Sequence, residues 1–321
     1  GMDEPAFYAL CVLSAQQPLD AEQLGQHLSY TGIADAPALV HPPLGQVLPV
    51  VCDSAPSGTA YPAEFGVAVP LALLRRGEDT LVHTLWEQFP HYGATLIEAT
   101  FPRTYIDPNR EEEDINPSML NGVWPQPLTP SVKTQQGLGL IWEKINQAGK
   151  SKPMYDRQLS VQEVQQRIKH YWRPYHAELA KAIQWSVQRF GGVWHINLHS
   201  MPSDVYARLG QPDKHLADFV LGDRDGTTCD RDFIHLIGNA LQAQGYSVAY
   251  NEPYKGVALI GRIGQPEYHR NSLQIEINRR IYLNEDTREP NAGFAPLQQH
   301  LQSVMQQVSQ YVRERMRSLP R

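Results

Sequence analysis

Apolar residues along this chain fall into two rhythms. Four short apolar runs, Gln46–Cys52, Ala94–Ala99, Gly192–Leu198 and Ser272–Ile277, have the length and Val, Ile and Leu content of buried strands. Elsewhere the spacing changes to three and four. Val161, Val164, Ile168, Tyr171, Tyr175, Leu179, Ile183, Val187 and Phe190 line one face of a helix that Gly191-Gly192 ends. Pro174 lies within it, lacks an N–H, and predicts a kink or a split into two. Leu297, Leu301, Val304, Val308 and Tyr311 (or Val312) mark a second amphipathic helix. Residues 36–49, rich in Pro and small apolar residues, read as a lead-in loop. Strands alternating with helices predict an α/β fold whose mixed or parallel sheet is covered on both faces. Ligands in such sheets bind beyond the carboxyl ends of strands, so the polar residues there are the candidates for chemistry.

Composition narrows the function. The chain has 321 residues, 41% hydrophobic and 19% charged, enough for one large α/β domain or two smaller ones. It contains no internal repeat and no run approaching the roughly 20 apolar residues that span a bilayer. The start, Gly1-Met2-Asp3-Glu4-Pro5, is acidic where a signal peptide is basic, and the apolar run Phe7–Leu13 is short. Gly1 before Met2 has the look of an expression scar, and the expected compartment is the cytoplasm. Cys11, Cys52 and Cys229 are scattered without CxxC spacing, which excludes a disulfide framework or a thiolate zinc knot. A net charge of −6 and no Lys/Arg-rich run argue against nucleic acid as partner. Small-molecule chemistry remains, with the oligomeric state unreadable.

Five segments could carry that chemistry. They are Val51–Gly58, Glu78–His83, Phe101–Arg110, Trp194–Pro202 and Ser272–Arg280. If Glu78–His83 opens a helix, Asp79 and His83 stand at i, i+4 on one face. His199 at a strand end is a good metal ligand, and a nearby carboxylate completes a borderline N/O set. Glu276 inside Leu-Gln-Ile-Glu-Ile is costly to bury unless paired or employed. Arg103 and Arg110 offer planar forks for a carboxylate. Each segment also has an ordinary alternative. His199 could be a hydrogen-bonded core histidine, Glu276 could pair with Arg279 or Arg280, and Arg110 could begin the solvated run Glu111-Glu112-Glu113.

Taken together, the segments resemble the N-formylglutamate amidohydrolase family over roughly residues 46 to 290. Seven blocks occur in the family's order: Ala55-Pro56-Ser57-Gly58, Asp79, Ile106-Asp107-Pro108-Asn109-Arg110, Leu198-His199-Ser200, Gly222–Cys229, Tyr254-Lys255-Gly256 and Leu273-Gln274-Ile275-Glu276. The family is distantly similar to zinc carboxypeptidases and aspartoacylase. That similarity implies a three-layer α/β domain with a mixed, mostly parallel sheet over 46–321, preceded by an extension of unassigned role over 1–45. It implies a Zn(2+) cofactor held by Asp79 and His199, with Glu276 as general base and Arg103 assisting or polarising the scissile carbonyl. Asn109, Arg110 and Ser200 would bind the substrate, an N-acyl amino acid such as N-formylglutamate, hydrolysed to formate and glutamate.

One position departs from the family. Where its first histidine ligand stands, this chain has Pro56, which offers no side-chain donor. Catalytic zinc sites use three protein ligands. Either His83 supplies the missing imidazole, or the metal is held weakly by two ligands and water, or the protein binds a carboxylated ligand without hydrolysing it. Two rivals come from other classes. Asp223-Arg224-Asp225-Gly226-Thr227 spells a haloacid-dehalogenase-type phosphatase signature, but that signature normally opens its domain and no convincing magnesium motif follows. Ser57-Gly58 lacks the Gly-x-Ser-x-Gly elbow of a serine hydrolase.

Overall fold

A computed structural model describes residues 36–147 and 150–319. Its main sheet contains β1 (Ala38–His41), β2 (Val50–Ser54), β3 (Thr95–Ala99), β4 (Val193–Met201), β5 (Phe219–Gly222), β6 (Val248–Tyr250) and β7 (Arg270–Asn278), in the order β1-β3-β2-β4-β7-β5-β6. The pairs β3/β2, β2/β4, β4/β7 and β5/β6 are parallel, whereas β1/β3 and β7/β5 are antiparallel. This is the mixed, mostly parallel sheet of an α/β fold.

Alternation along the central strands sorts their side chains. Trp194, Ile196 and Leu198 of β4 and Leu273, Ile275 and Ile277 of β7 join one apolar cluster. They pack there with two helices, α4 (Arg231–Ala243) and α5 (Phe294–Arg315). On the opposite face, Val51, Ile97 and Val193 pack with α2 (Val161–Arg167) and α3 (Arg173–Phe190). The intervening residues of β4 and β7, His195, Asn197, His199, Ser272, Gln274 and Glu276, are polar and buried. A sheet covered on both faces thus carries a polar stripe down its middle. The stripe ends at the carboxyl edge.

Helix ends follow their local chemistry. Ser160 caps α2 by accepting from the Glu163 N–H, and Gly191, at φ 81°, closes α3. The helix is not split at Pro174: α2 runs through a π-helical turn, Ile168–Trp172, straight into α3, with Pro174 in the first turn of α3. In α5, Val312 rather than Tyr311 completes the buried face.

Three further expectations need correction. Residues 36–49 are not all loop, because β1 pairs along the edge of the sheet with β3. Strand β2 begins at Val50, after Pro49, rather than at Gln46. Asp79 and His83 do not share a helix. The short helix α1 (Val82–Trp86) starts after Leu81, whose left-handed φ of 62° turns the chain between the two residues. Among the described residues no helix is long and apolar enough to cross a membrane. Cys11, Phe7–Leu13 and most of the expected 1–45 extension lie outside the described residues.

Candidate active site

Strands β4 and β7 run side by side with His199 opposite Glu276. His199 Nδ1 lies 4.0 Å from Glu276 Oε1 and 3.2 Å from Asp79 Oδ2. Asp79 comes from the loop before α1, where its N–H donates to the Pro56 carbonyl at 3.0 Å. Its Oδ2 also accepts the Ser200 N–H at 3.1 Å, and Oδ1 accepts Arg279 Nη2 at 2.7 Å. Arg279 Nε donates to Ser200 Oγ at 3.0 Å. Arg103 reaches the same carboxylate at 3.7 Å and binds Asp107 Oδ2 at 2.8 Å. Asp79, Arg103, His199, Ser200 and Glu276 therefore meet at one place. Ser200 lies against Asp79 and Arg279, orienting them.

The segment carrying Asn109 and Arg110 is held to this centre by Asp107. Its carboxylate accepts from Arg103, from Trp142 Nε1 at 3.0 Å and from the Asn109 N–H at 3.0 Å. The last of these is an Asx turn, which shapes the loop locally. His176 Nε2–H donates to the Pro108 carbonyl at 2.9 Å, and Nδ1 then accepts from Arg262 Nη2 at 3.1 Å. Arg110 Nε donates to the Leu138 carbonyl at 2.9 Å.

Burial and charge oppose each other here. Burial alone would raise Asp79, but the His199 hydrogen bond and the Arg279 and Arg103 charges hold it below the usual carboxylate range. Burial pushes Glu276 up to about 7; Asp79 adds to this and His199, Arg103 and Arg279 oppose it. Burial would lower His199, but the Glu276 and Asp79 charges outweigh it and raise the imidazole. The buried polar atoms without a protein partner include His199 Nε2, at the centre, and Asn109 Nδ2, in the loop held by Asp107. Such groups are costly unless a ligand or water completes them.

Other polar residues of the stripe do different work. Ser272 Oγ, His195 and Asp53 form a Ser–His–Asp chain, at 2.7 and 2.8 Å, but all three are 0% exposed. No substrate reaches that serine. Tyr175 and Asn197 complete Asp53, and Asn197 Nδ2 lies 3.5 Å from Asn109 Oδ1, so the network backs the Asn109 loop. In the Asp223–Thr227 loop the carboxylates diverge. Asp223 accepts from Gly226 N–H and Asn251 Nδ2, whereas Asp225 pairs outward with Lys255. Sequence reasoning missed Arg279 as the partner of Asp79. Tyr254, named in the sequence only within the Tyr254-Lys255-Gly256 block and given no role, has a hydroxyl that burial raises and that feels Glu276, Arg279 and Asp79.

The residues present do not fit a three-ligand zinc site. His199 Nε2 is one available donor, but both Asp79 oxygens already accept hydrogen bonds. Pro56 offers nothing. His83, expected as the replacement, lies instead with Nε2 3.1 Å from Thr84 Oγ1 and 3.8 Å from Glu98 Oε2, a carboxylate of β3 that also binds His41. The left-handed Leu81 directs it there. Among the described residues no three His, Cys, Asp or Glu side chains are grouped to hold a metal ion.

The model of the N-formylglutamate amidohydrolase family matches residues 48–283. The N-formylglutamate deformylases of Pseudomonas putida and Pseudomonas aeruginosa are 28% and 26% identical over 235 and 233 residues, each covering 72% of this chain and 79% of the relative. The crystal structure of N-formylglutamate amidohydrolase from Ralstonia eutropha JMP134 superposes with a TM-score of 0.84 at 55% identity, over 87% of this chain and 99% of that one. The Agrobacterium tumefaciens gene product Atu2144 shares the fold, with a TM-score of 0.60 at 18% identity over 88% of this chain and 99% of that one. With the matched segment spanning β2 through β7 and every residue of the cluster around Asp79, the chain belongs to the N-formylglutamate amidohydrolase family.

Proposed function

We propose that this site hydrolyses the N-acyl amide of an acidic amino acid, as in the conversion of N-formylglutamate to formate and glutamate. The observation that carries this reading is Glu276: a buried carboxyl pushed up to about 7, beside His199 and among arginines. A general base works best when its pKa lies near the operating pH. Glu276 accepts a proton from water as the water oxygen attacks the acyl carbon. Arg103 and the unpartnered His199 Nε2 are the donors available to the oxyanion. The proton then passes to the amide nitrogen as the C–N bond breaks, releasing the amino acid and the carboxylic acid. Arg110 and Asn109 bind the substrate's α-carboxylate, which fixes the acyl group at Glu276.

The zinc expected from the family's resemblance to carboxypeptidases has one orphaned donor here, His199 Nε2, and lacks a full set. No step above passes through it. The family relatives named for deformylation of N-formylglutamate support the substrate class. A second reading, binding without hydrolysis, is favoured by Pro56 and by Arg279 occupying Asp79. Incubating the purified protein with N-formylglutamate separates the two. Stoichiometric formate and glutamate support hydrolysis, whereas calorimetric binding with no product supports the second reading.

A further inference from the structure

A cavity of about 580 Å³ opens beside the loop that carries Asp79. Its size falls within the roughly 300–1,000 Å³ of small-molecule sites. Thr80, the residue after Asp79, lines it together with Arg75 and Arg288, whereas Asp79, Arg103, His199 and Glu276 do not. Tyr61, Leu71, Leu81 and Pro290 make much of the remaining wall apolar. Leu71 is 54% exposed, so this apolar surface reaches solvent.

Arg288 is the cation of this wall that the protein leaves without a counter-ion. It is 7% exposed. Its Nε donates to Thr80 Oγ1 at 3.1 Å, and its Nη2 to Thr80 Oγ1 at 2.6 Å and to the Glu78 carbonyl at 2.7 Å. All of these acceptors are neutral. The Glu78 carboxylate is taken up instead by the Tyr61 hydroxyl at 2.7 Å, the Thr80 hydroxyl at 3.2 Å and Arg75 Nε at 3.4 Å. Among the described residues Arg288 forms no ion pair. Its Nη1 makes no hydrogen bond there, yet the surrounding atoms do not seal it off. Burial and the Arg279 charge bring Arg288 down to about 10, against the pull of Tyr282, Glu78 and Asp79. A guanidinium held this way is costly to bury, and its open edge matches a carboxylate. Glu289 also lines the cavity, but it is exposed and pairs with neither Arg288 nor Arg75.

We propose that this cavity is a second ligand site that takes a monocarboxylate with a compact apolar body. The carboxylate lies on Arg288 Nη1, and the body packs against Tyr61, Leu71, Leu81 and Pro290. The site is separate from the cluster around Glu276 and does not depend on the substrate reading above.

The test compares benzoate with benzamide, which has the same shape without the charge. Dissociation constants are read by ligand-observed NMR titration on the full-length native chain and its variants. The native protein should favour benzoate by about tenfold, the worth of one charge-assisted hydrogen bond. Arg288→Met should bring the two affinities together. Arg288 also anchors Glu78 and Thr80, so two substitutions at exposed positions decide the matter if that variant fails to fold. Glu289→Gln should raise the benzoate preference and Leu71→Glu should lower it, each by about two- to fivefold, the worth of an exposed charge pair. Arg110→Ala should leave the preference intact. No preference in the native protein, a preference that survives Arg288→Met, or one unmoved by both exposed substitutions overturns the inference. Loss of benzoate binding in Arg110→Ala overturns it as well, by placing the compound in the catalytic centre.

Discussion

Arg279 and Asp79 are 200 residues apart in the chain and lie 2.7 Å apart in the interior, with side chains 6% and 1% exposed. A buried pair of this kind is sensitive to losing one member, because the other charge is left in a poorly solvating place. Arg279→Ala should destabilise the protein by about 3–5 kcal/mol in urea unfolding, since Asp79 then loses its closest guanidinium and keeps only His199 and, at longer range, Arg103 as charged partners. Arg279→Lys should recover part of the loss. An unaltered midpoint for Arg279→Ala would show that the pair is not holding this region.

His176 sets a pH dependence of stability. Burial, together with the Arg262 charge, lowers it from 6.5 to about 3. Between those values the unfolded chain takes a proton that the folded chain refuses. Its stabilising contribution is therefore full above pH 6.5 and is lost as pH falls toward about 3. His176→Gln should flatten the slope of unfolding free energy against pH across that window. An unchanged slope would mean that the imidazole is not held neutral against Pro108 and Arg262.

The same physics explains what could be read without coordinates. Strands β4 and β7 were legible because both are central, with Trp194, Ile196 and Leu198 in the one and Leu273, Ile275 and Ile277 in the other at every second position. Strands β1 and β6 have four and three residues and lie at the two edges, so neither needs a long apolar run. His199 at a strand end and Glu276 inside a strand were legible by position, whereas Asp79 was read as opening a helix and stands in the loop before α1. The placement of His83 was not legible, because it depends on a single left-handed residue, Leu81, and nothing in a leucine announces that conformation. The partnership of Arg279 was hidden for a different reason: it is made by tertiary packing between the loop before α1 and the end of β7.

The metal prediction follows from the donor set. The purified native protein should contain zinc well below one ion per chain by elemental analysis, and His83→Ala should not change that content. Pro56→His places an imidazole on the loop whose carbonyl already binds the Asp79 N–H, and should raise zinc content toward one per chain. One tightly held zinc in the native protein would contradict the account of this site.

Arg110 should matter for ligand binding more than for folding. Its one side-chain hydrogen bond is to a loop carbonyl, so Arg110→Ala should leave the unfolding midpoint within about 1 kcal/mol of native. Affinity for N-formylglutamate should fall by at least about tenfold, as expected for loss of a guanidinium–carboxylate contact. Equal affinity in the variant would remove Arg110 from the substrate site.

The proposed chemistry turns on Glu276, which must be ionised to accept a proton from water. Because burial pushes it up to about 7, kcat/KM for N-formylglutamate should rise with pH and level off above about 7. The most direct measurement is formate release as a function of pH by the native protein and by Glu276→Gln, which keeps the shape and removes the base. The account predicts a rate lower by roughly 100-fold to 10,000-fold in the variant, with the rise near pH 7 abolished. Formate release by Glu276→Gln at the native rate, or a native protein that binds the compound and releases none, would contradict it.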